Sequence, residues 1–98
     1  MARRTPLVYA MADEIRDRRL AAGLTQEEVW TAAKITKTTY REIETGHRVV
    51  NAVQLDDIAT VLKTTAAAIF TASKKRLADS ADGQRSHAAR IYGDVFGR

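Results

Sequence analysis

Lys37, Thr38, Arg41 and Glu42 fall within one short stretch of the chain, interleaved with Tyr40 and Ile43. On a helix this spacing turns Tyr40 and Ile43 to one side and leaves the four polar residues on the other. Two cations, a hydroxyl and a carboxylate on a rigid rod supply hydrogen-bond donors and acceptors for recognition. They do not supply the machinery of bond making. The chain has no cysteine, its two histidines (His47 and His87) are far apart, and it has no glycine-rich phosphate loop. It also shows no carboxylate pair in an apolar setting. The inventory therefore points to a binding protein and excludes an enzyme, a metal site and a cofactor.

The rod needs a scaffold. With 98 residues, 45% of them apolar, the chain has enough material for one compact domain and too little for two. Strand signals are weak: there is a single proline, Pro6, and no Asn-Gly or Asp-Gly turn between alternating runs. Apolar residues recur instead at helical spacing, so the expected class is all-α. A first helix is expected from about Leu7 to Ala22, burying Met11 and Ile15 and stopping at Gly23. Thr25 then caps a second helix, about Gln26 to Ala33. Glu28 completes a capping box there, and Val29 with Ala32 or Ala33 is buried. Thr36 caps the third, about Lys37 to Thr45, which ends at Gly46. Only two or three residues, around Lys34 and Ile35, separate the second from the third, so these two helices must cross steeply, as in a helix-turn-helix. Asn51 caps a fourth helix, about Ala52 to Leu62, carrying Leu55, Ile58, Ala59 and Leu62. Thr64 or Thr65 starts a fifth, with Ala66, Ile69 and Phe70 expected to face inward.

The organisation read this way is a basic arm over 1–6, a domain over 7–71 and a basic extension over 72–98. In the extension, Ala88, Ile91, Tyr92 and Val95 recur at i, i+3, i+4 and i+7, with Phe96 beside them. This is an amphipathic helix over 86–96 that must pack on something. The net charge of +4 sits at the two ends: +2 over residues 1–24, zero over 25–50, −1 over 51–70 and +3 over 71–98. A basic balance suits an anionic partner. No run approaches the roughly 20 apolar residues that cross a bilayer, and no secretion signal is visible. The cytoplasm is the expected compartment.

The segment from Gly23 to Gly46 resembles the Cro and lambda-repressor type of helix-turn-helix proteins, the XRE family. Arg19, Gly23, Leu24, Thr25, Gln26, Val29, Ile35, Thr36, Ile43, Glu44 and Gly46 occupy the family's positions without gaps. Leu55, Ile58, Ala59 and Leu62 match its following helix, so the resemblance covers about residues 8 to 70. Two residues depart from the pattern. Trp30 stands where the family usually has alanine, and Lys34 where it usually has glycine. Lysine can take the left-handed turn at a modest cost. Tryptophan must rotate outward or push the helices apart.

The resemblance implies a compact five-helix domain and double-stranded DNA as partner. The second helix of the pair would enter the major groove while the first lies across the backbone. Lys37, Thr38, Arg41 and Glu42 then meet base edges or adjoining phosphates. Lys37 and Arg41 suit guanine O6 and N7, Glu42 a cytosine amino group, and Thr38 a hydroxyl bond or a thymine methyl. A solvated helix face is the alternative for the same charges. Gln26, Thr36, Thr45 and Arg48 are the expected phosphate contacts, Gln26 from a helix start that favours an anion. His47 is read as an exposed loop residue.

Arg19 and Glu44 are implied to be a partly buried ion pair joining the first helix to the end of the third. Arg3 and Arg4 are a candidate DNA arm, against an unstructured tail. Lys74, Lys75 and Arg76 are either further phosphate contacts or a solvated helix end. A regulator of transcription, a repressor of the kind found in phages and mobile elements, follows as the expected function. It would act as a homodimer on an inverted repeat with half-sites roughly 34 Å apart. Ile91, Tyr92, Val95 and Phe96 are the candidate dimer contacts, against docking on their own domain. The competing reading is a protein-interaction module, an antitoxin or adaptor subunit, using Glu27, Glu28, Asp56, Asp57 and Trp30 to bind a protein partner.

Overall fold

The computed structural model describes residues 5–79, which form α1 (Pro6–Ala21), α2 (Gln26–Ala33), α3 (Lys37–Thr45), α4 (Ala52–Val61) and α5 (66–79). Arg3 and Arg4, and the segment carrying Ile91, Tyr92, Val95 and Phe96, lie outside the described residues. This is the compact all-α, five-helix architecture that the sequence implies. No described helix is long and apolar enough to cross a membrane.

Local hydrogen bonds set most of the helix ends. At α2 the Glu28 N–H donates to Thr25 Oγ1 at 3.1 Å, and the Thr25 N–H donates to Glu28 Oε1 at 2.8 Å. This is the reciprocal capping box read from the sequence. Thr36 Oγ1 accepts from the Thr39 N–H at 3.2 Å to start α3. Asn51 goes further than the single cap expected of it. It builds a second box with Gln54, with bonds of 2.7 and 3.1 Å. Thr65, not Thr64, caps α5, its Oγ1 accepting from the Ala68 N–H at 3.0 Å.

Lys34 closes α2 in the left-handed region, at φ 60 and ψ 41. That geometry lets the Ile35 N–H return to the Trp30 carbonyl at 2.9 Å and reverses the chain into α3 with no glycine. Trp30 does not stand free in solvent. It is half-buried against the core, with its ring tilted on Tyr40 at a centroid distance of 6.4 Å.

The core gathers Ile15, Val29, Ala33, Tyr40, Ile43, Leu55, Ile58, Ala59 and Ile69 from all five helices. Of the two alanines offered for α2, Ala33 is buried and Ala32 is exposed. Two expectations for the end of the domain change. Phe70 does not face inward and is 44% exposed. The buried stripe of α5 passes through Ile69 and Ser73 instead, one turn apart, and Phe70 lies about 100° round the helix from Ile69. Ser73 is fully buried and donates its hydroxyl to the Ile69 carbonyl at 2.7 Å. The helix also continues through residue 79, across the boundary expected at residue 71. Arg76 holds this extra length against α1, bonding Glu14 at 3.1 Å and Asp17 at 2.9 Å. Its charge is spent inside the domain rather than offered to an outside anion.

Candidate nucleic-acid interface

The site is α3 together with the elements that lock its back. Tyr40, Ile43 and Glu44 point inward. Arg19 of α1 grips Glu44 with two parallel bonds, Nε to Oε2 at 2.9 Å and Nη2 to Oε1 at 2.8 Å. Its remaining Nη1 donates to the Leu24 carbonyl at 2.9 Å. Arg19 and Glu44, implied as a partly buried ion pair, have side chains only 10% and 2% exposed, and their two-pronged geometry fixes both position and rotation of α3 relative to α1.

A third partner has no counterpart in the sequence reading. Gln26, at the start of α2, donates from Nε2 to Glu44 Oε1 at 3.0 Å. One carboxylate thus ties together both helices of the helix-turn-helix and the helix behind them. The only sequence hint is that Gln26 and Glu44 both belong to the resemblance; nothing in their spacing pairs them.

Charge balance inside this cluster is strongly coupled. Burial would raise the Glu44 carboxyl, but the bonds from Arg19 and Gln26, with Tyr40 alongside, outweigh it and hold the group below its usual range. Glu44 in turn keeps the Arg19 guanidinium above its own. The Tyr40 hydroxyl is buried beside them without a well-formed hydrogen bond among the described residues. Burial first, and then the adjacent Glu44 carboxylate, push its ionisation far above the ordinary phenol range.

The front of α3 is built differently. Lys37, Thr38 and Arg41 are exposed, and their side chains make no hydrogen bond within the described residues. Thr36 is exposed and spends one lone pair capping α3. Thr45 folds its hydroxyl back on the helix, toward the Arg41 carbonyl at 2.9 Å and the Glu42 carbonyl at 3.2 Å. His47 Nδ1 meets the same hydroxyl oxygen at 2.8 Å. Arg48, from the loop after α3, turns back to Glu42. Its Nε and Nη2 both bond Oε1, at 2.9 and 2.6 Å. Two residues expected to act separately, one on a base and one on a phosphate, are therefore joined in the free protein.

Gly46 lets the chain leave α3 for this loop. Its φ is +80, and a Cβ there would sit 2.7 Å from Tyr9 Cδ1, so neither the backbone nor the space accepts a side chain without a shift. Among the described residues no group of three or more His, Cys, Asp or Glu could hold a metal ion.

Comparison with known proteins agrees with this geometry. A family model described as a helix-turn-helix domain matches residues 10–69. The chain belongs to that family, and it is a DNA-binding domain of the Cro and lambda-repressor type. No curated protein matches it. Among solved structures, the clp gene regulator ClgR from Corynebacterium glutamicum superimposes with a TM-score of 0.77 at 20% identity. That match covers 88% of this chain and 93% of ClgR. A second ClgR structure from the same organism gives 0.67 at 21% identity, over 71% of this chain and 91% of that one. The restriction-modification controller protein C.AhdI from Aeromonas hydrophila gives 0.61 at 24% identity, covering 63% and 94%. At these identities the structures share a fold.

Proposed function

We propose that this DNA-binding regulator is a sequence-specific transcriptional repressor. In this reading α3 enters the major groove, and the protein acts as a homodimer on an inverted repeat. The observation that carries the reading is the division of α3. Its back is fixed by a buried, two-pronged ion pair, while its front presents Lys37, Thr38 and Arg41 to solvent. Groove reading needs that combination, because a base contact works only when its rod is held in register.

Lys37 and Arg41 donate to guanine edges, Thr38 meets a base edge or methyl, and Glu42 accepts from an amino group. Gln26, Thr36 and Thr45 line the phosphate edge, Arg48 stands beside it bonded to Glu42, and Arg3 and Arg4 form an arm that follows the duplex. The similar structures, of a gene regulator and a restriction-modification controller protein, support a role in control of transcription. One short helix reads few base pairs, so pairing of two copies supplies affinity and site length. Ile91, Tyr92, Val95 and Phe96 supply part of that pairing.

Selection of bound sites from a random DNA pool tests the reading. The expected consensus has dyad symmetry with half-sites about one helical turn apart. Binding without any base preference would overturn it in favour of a protein-interaction role, as an antitoxin or adaptor. Deleting residues 85–98 and measuring particle mass tests the contribution of the tail. A dimer of unchanged stoichiometry removes it.

A further inference from the structure

Glu42 is the one carboxylate on the front of α3, and it raises a physical problem. An unpaired carboxylate brought to a duplex is repelled by the phosphates, and a free glutamate has several rotamers to lose. Arg48 answers both points. Its Nε and Nη2 converge on the same oxygen, Oε1, at 2.9 and 2.6 Å. That leaves Oε2 of Glu42 without a hydrogen bond among the described residues, on a side chain neutralised and held by its neighbour. The loop that brings Arg48 back is itself anchored to the last turn of α3. The His47 N–H bonds the Glu42 carbonyl at 2.9 Å, and the His47 ring meets the Thr45 hydroxyl.

We infer that Arg48 is a specificity-determining positioning residue, which orients and neutralises Glu42 so that Glu42 Oε2 accepts from an exocyclic amino group, of cytosine or adenine, in the major groove. The inference rests on the DNA-reading function proposed above and sharpens it. Arg48 acts on base choice through Glu42 rather than as an independent phosphate anchor. A phosphate anchor and a positioning residue differ in what their loss does: the first weakens binding to all sequences and lowers the salt dependence, the second alters preference at one base pair.

The test uses the full chain in five forms: wild type, Arg48→Met, Arg48→Lys, Glu42→Gln and the double variant Arg48→Met with Glu42→Gln. Each is assayed by pool selection and by binding to its preferred duplex across a salt series. Thermal melts confirm that all five fold, as expected for an exposed pair. The expected result is that Arg48→Met and Glu42→Gln relax preference at the same base pair. Arg48→Met should cost about tenfold for the preferred site in the wild-type background and less than about twofold in the Glu42→Gln background. Arg48→Lys should keep part of the preference. Equal loss for all sequences in both backgrounds, with the salt slope reduced by about one, overturns the inference while leaving groove reading intact. A wild-type chain with no sequence preference overturns both.

Discussion

Behind α3, Tyr40, Ile43 and Glu44 are 0%, 2% and 3% exposed, and the carboxylate there has three bonds from two other helices. In front, Lys37, Thr38 and Arg41 are exposed, and Glu42 is held by one partner from the adjoining loop. Both faces carry charge, but the same chemistry does different work on each. A buried carboxylate must be fully paired or it destabilises the fold. An exposed cation is stable alone and is therefore free to be spent on a ligand. Substitutions behind the rod should act on stability, and those in front on binding.

The largest effect is expected behind. Glu44→Ala strands the Arg19 guanidinium and should cost about 3–5 kcal/mol in denaturant unfolding, a large share of the stability of a domain this size. DNA preference of the molecules that remain folded should be unchanged. Stability equal to wild type would break the comparison.

Acid probes the same contact. Glu44 is held below its ordinary value near 4.5 in the folded protein, so the unfolded chain binds the proton more readily. Its contribution to stability is fully present above that pH and is lost as pH falls through the lower folded-state value. Melting temperature followed below pH 5 in wild type and Glu44→Gln should show a steeper acid loss in wild type.

The front should give the reverse pattern. Arg41→Gln is expected to weaken binding to the selected site by about 1–3 kcal/mol while unfolding free energy stays within about 0.5 kcal/mol of wild type. Competition binding and denaturant melts on the same sample separate the two.

A smaller effect sits between the faces. Lys34 holds the turn into α3 at φ 60, where glycine has no steric penalty. Lys34→Gly should therefore stabilise the domain by about 0.5–1 kcal/mol. A loss of stability in thermal melts would mean that unfolded-chain entropy outweighs strain at this turn.

The helix-turn-helix itself was legible because its signals are local. Thr25 with Glu28 and Thr36 with Thr39 bond within three residues of each other, and Gly46 marks the end of α3 in the sequence as in the structure. The Arg19–Glu44 pair was legible only through the family resemblance, since 25 positions separate the partners. Phe70 shows the limit of composition: a large apolar residue beside Ile69 reads as core, yet the buried stripe of α5 runs through Ile69 and Ser73 and leaves Phe70 44% exposed. Ser73, small and polar, was passed over, although its hydroxyl is satisfied within its own helix.

The amino-acid order by itself determined where the first four helices start and stop, to within a residue, and that a polar flank would be left on the third. Hydrogen bonds between near neighbours and the period of apolar residues need no knowledge of the rest of the chain. Only the tertiary structure decided that Gln26 joins Glu44, that Arg48 folds back to Glu42, and that Arg76 fastens α5 to α1. Long charged side chains reach many partners, and which one they meet depends on how the helices pack.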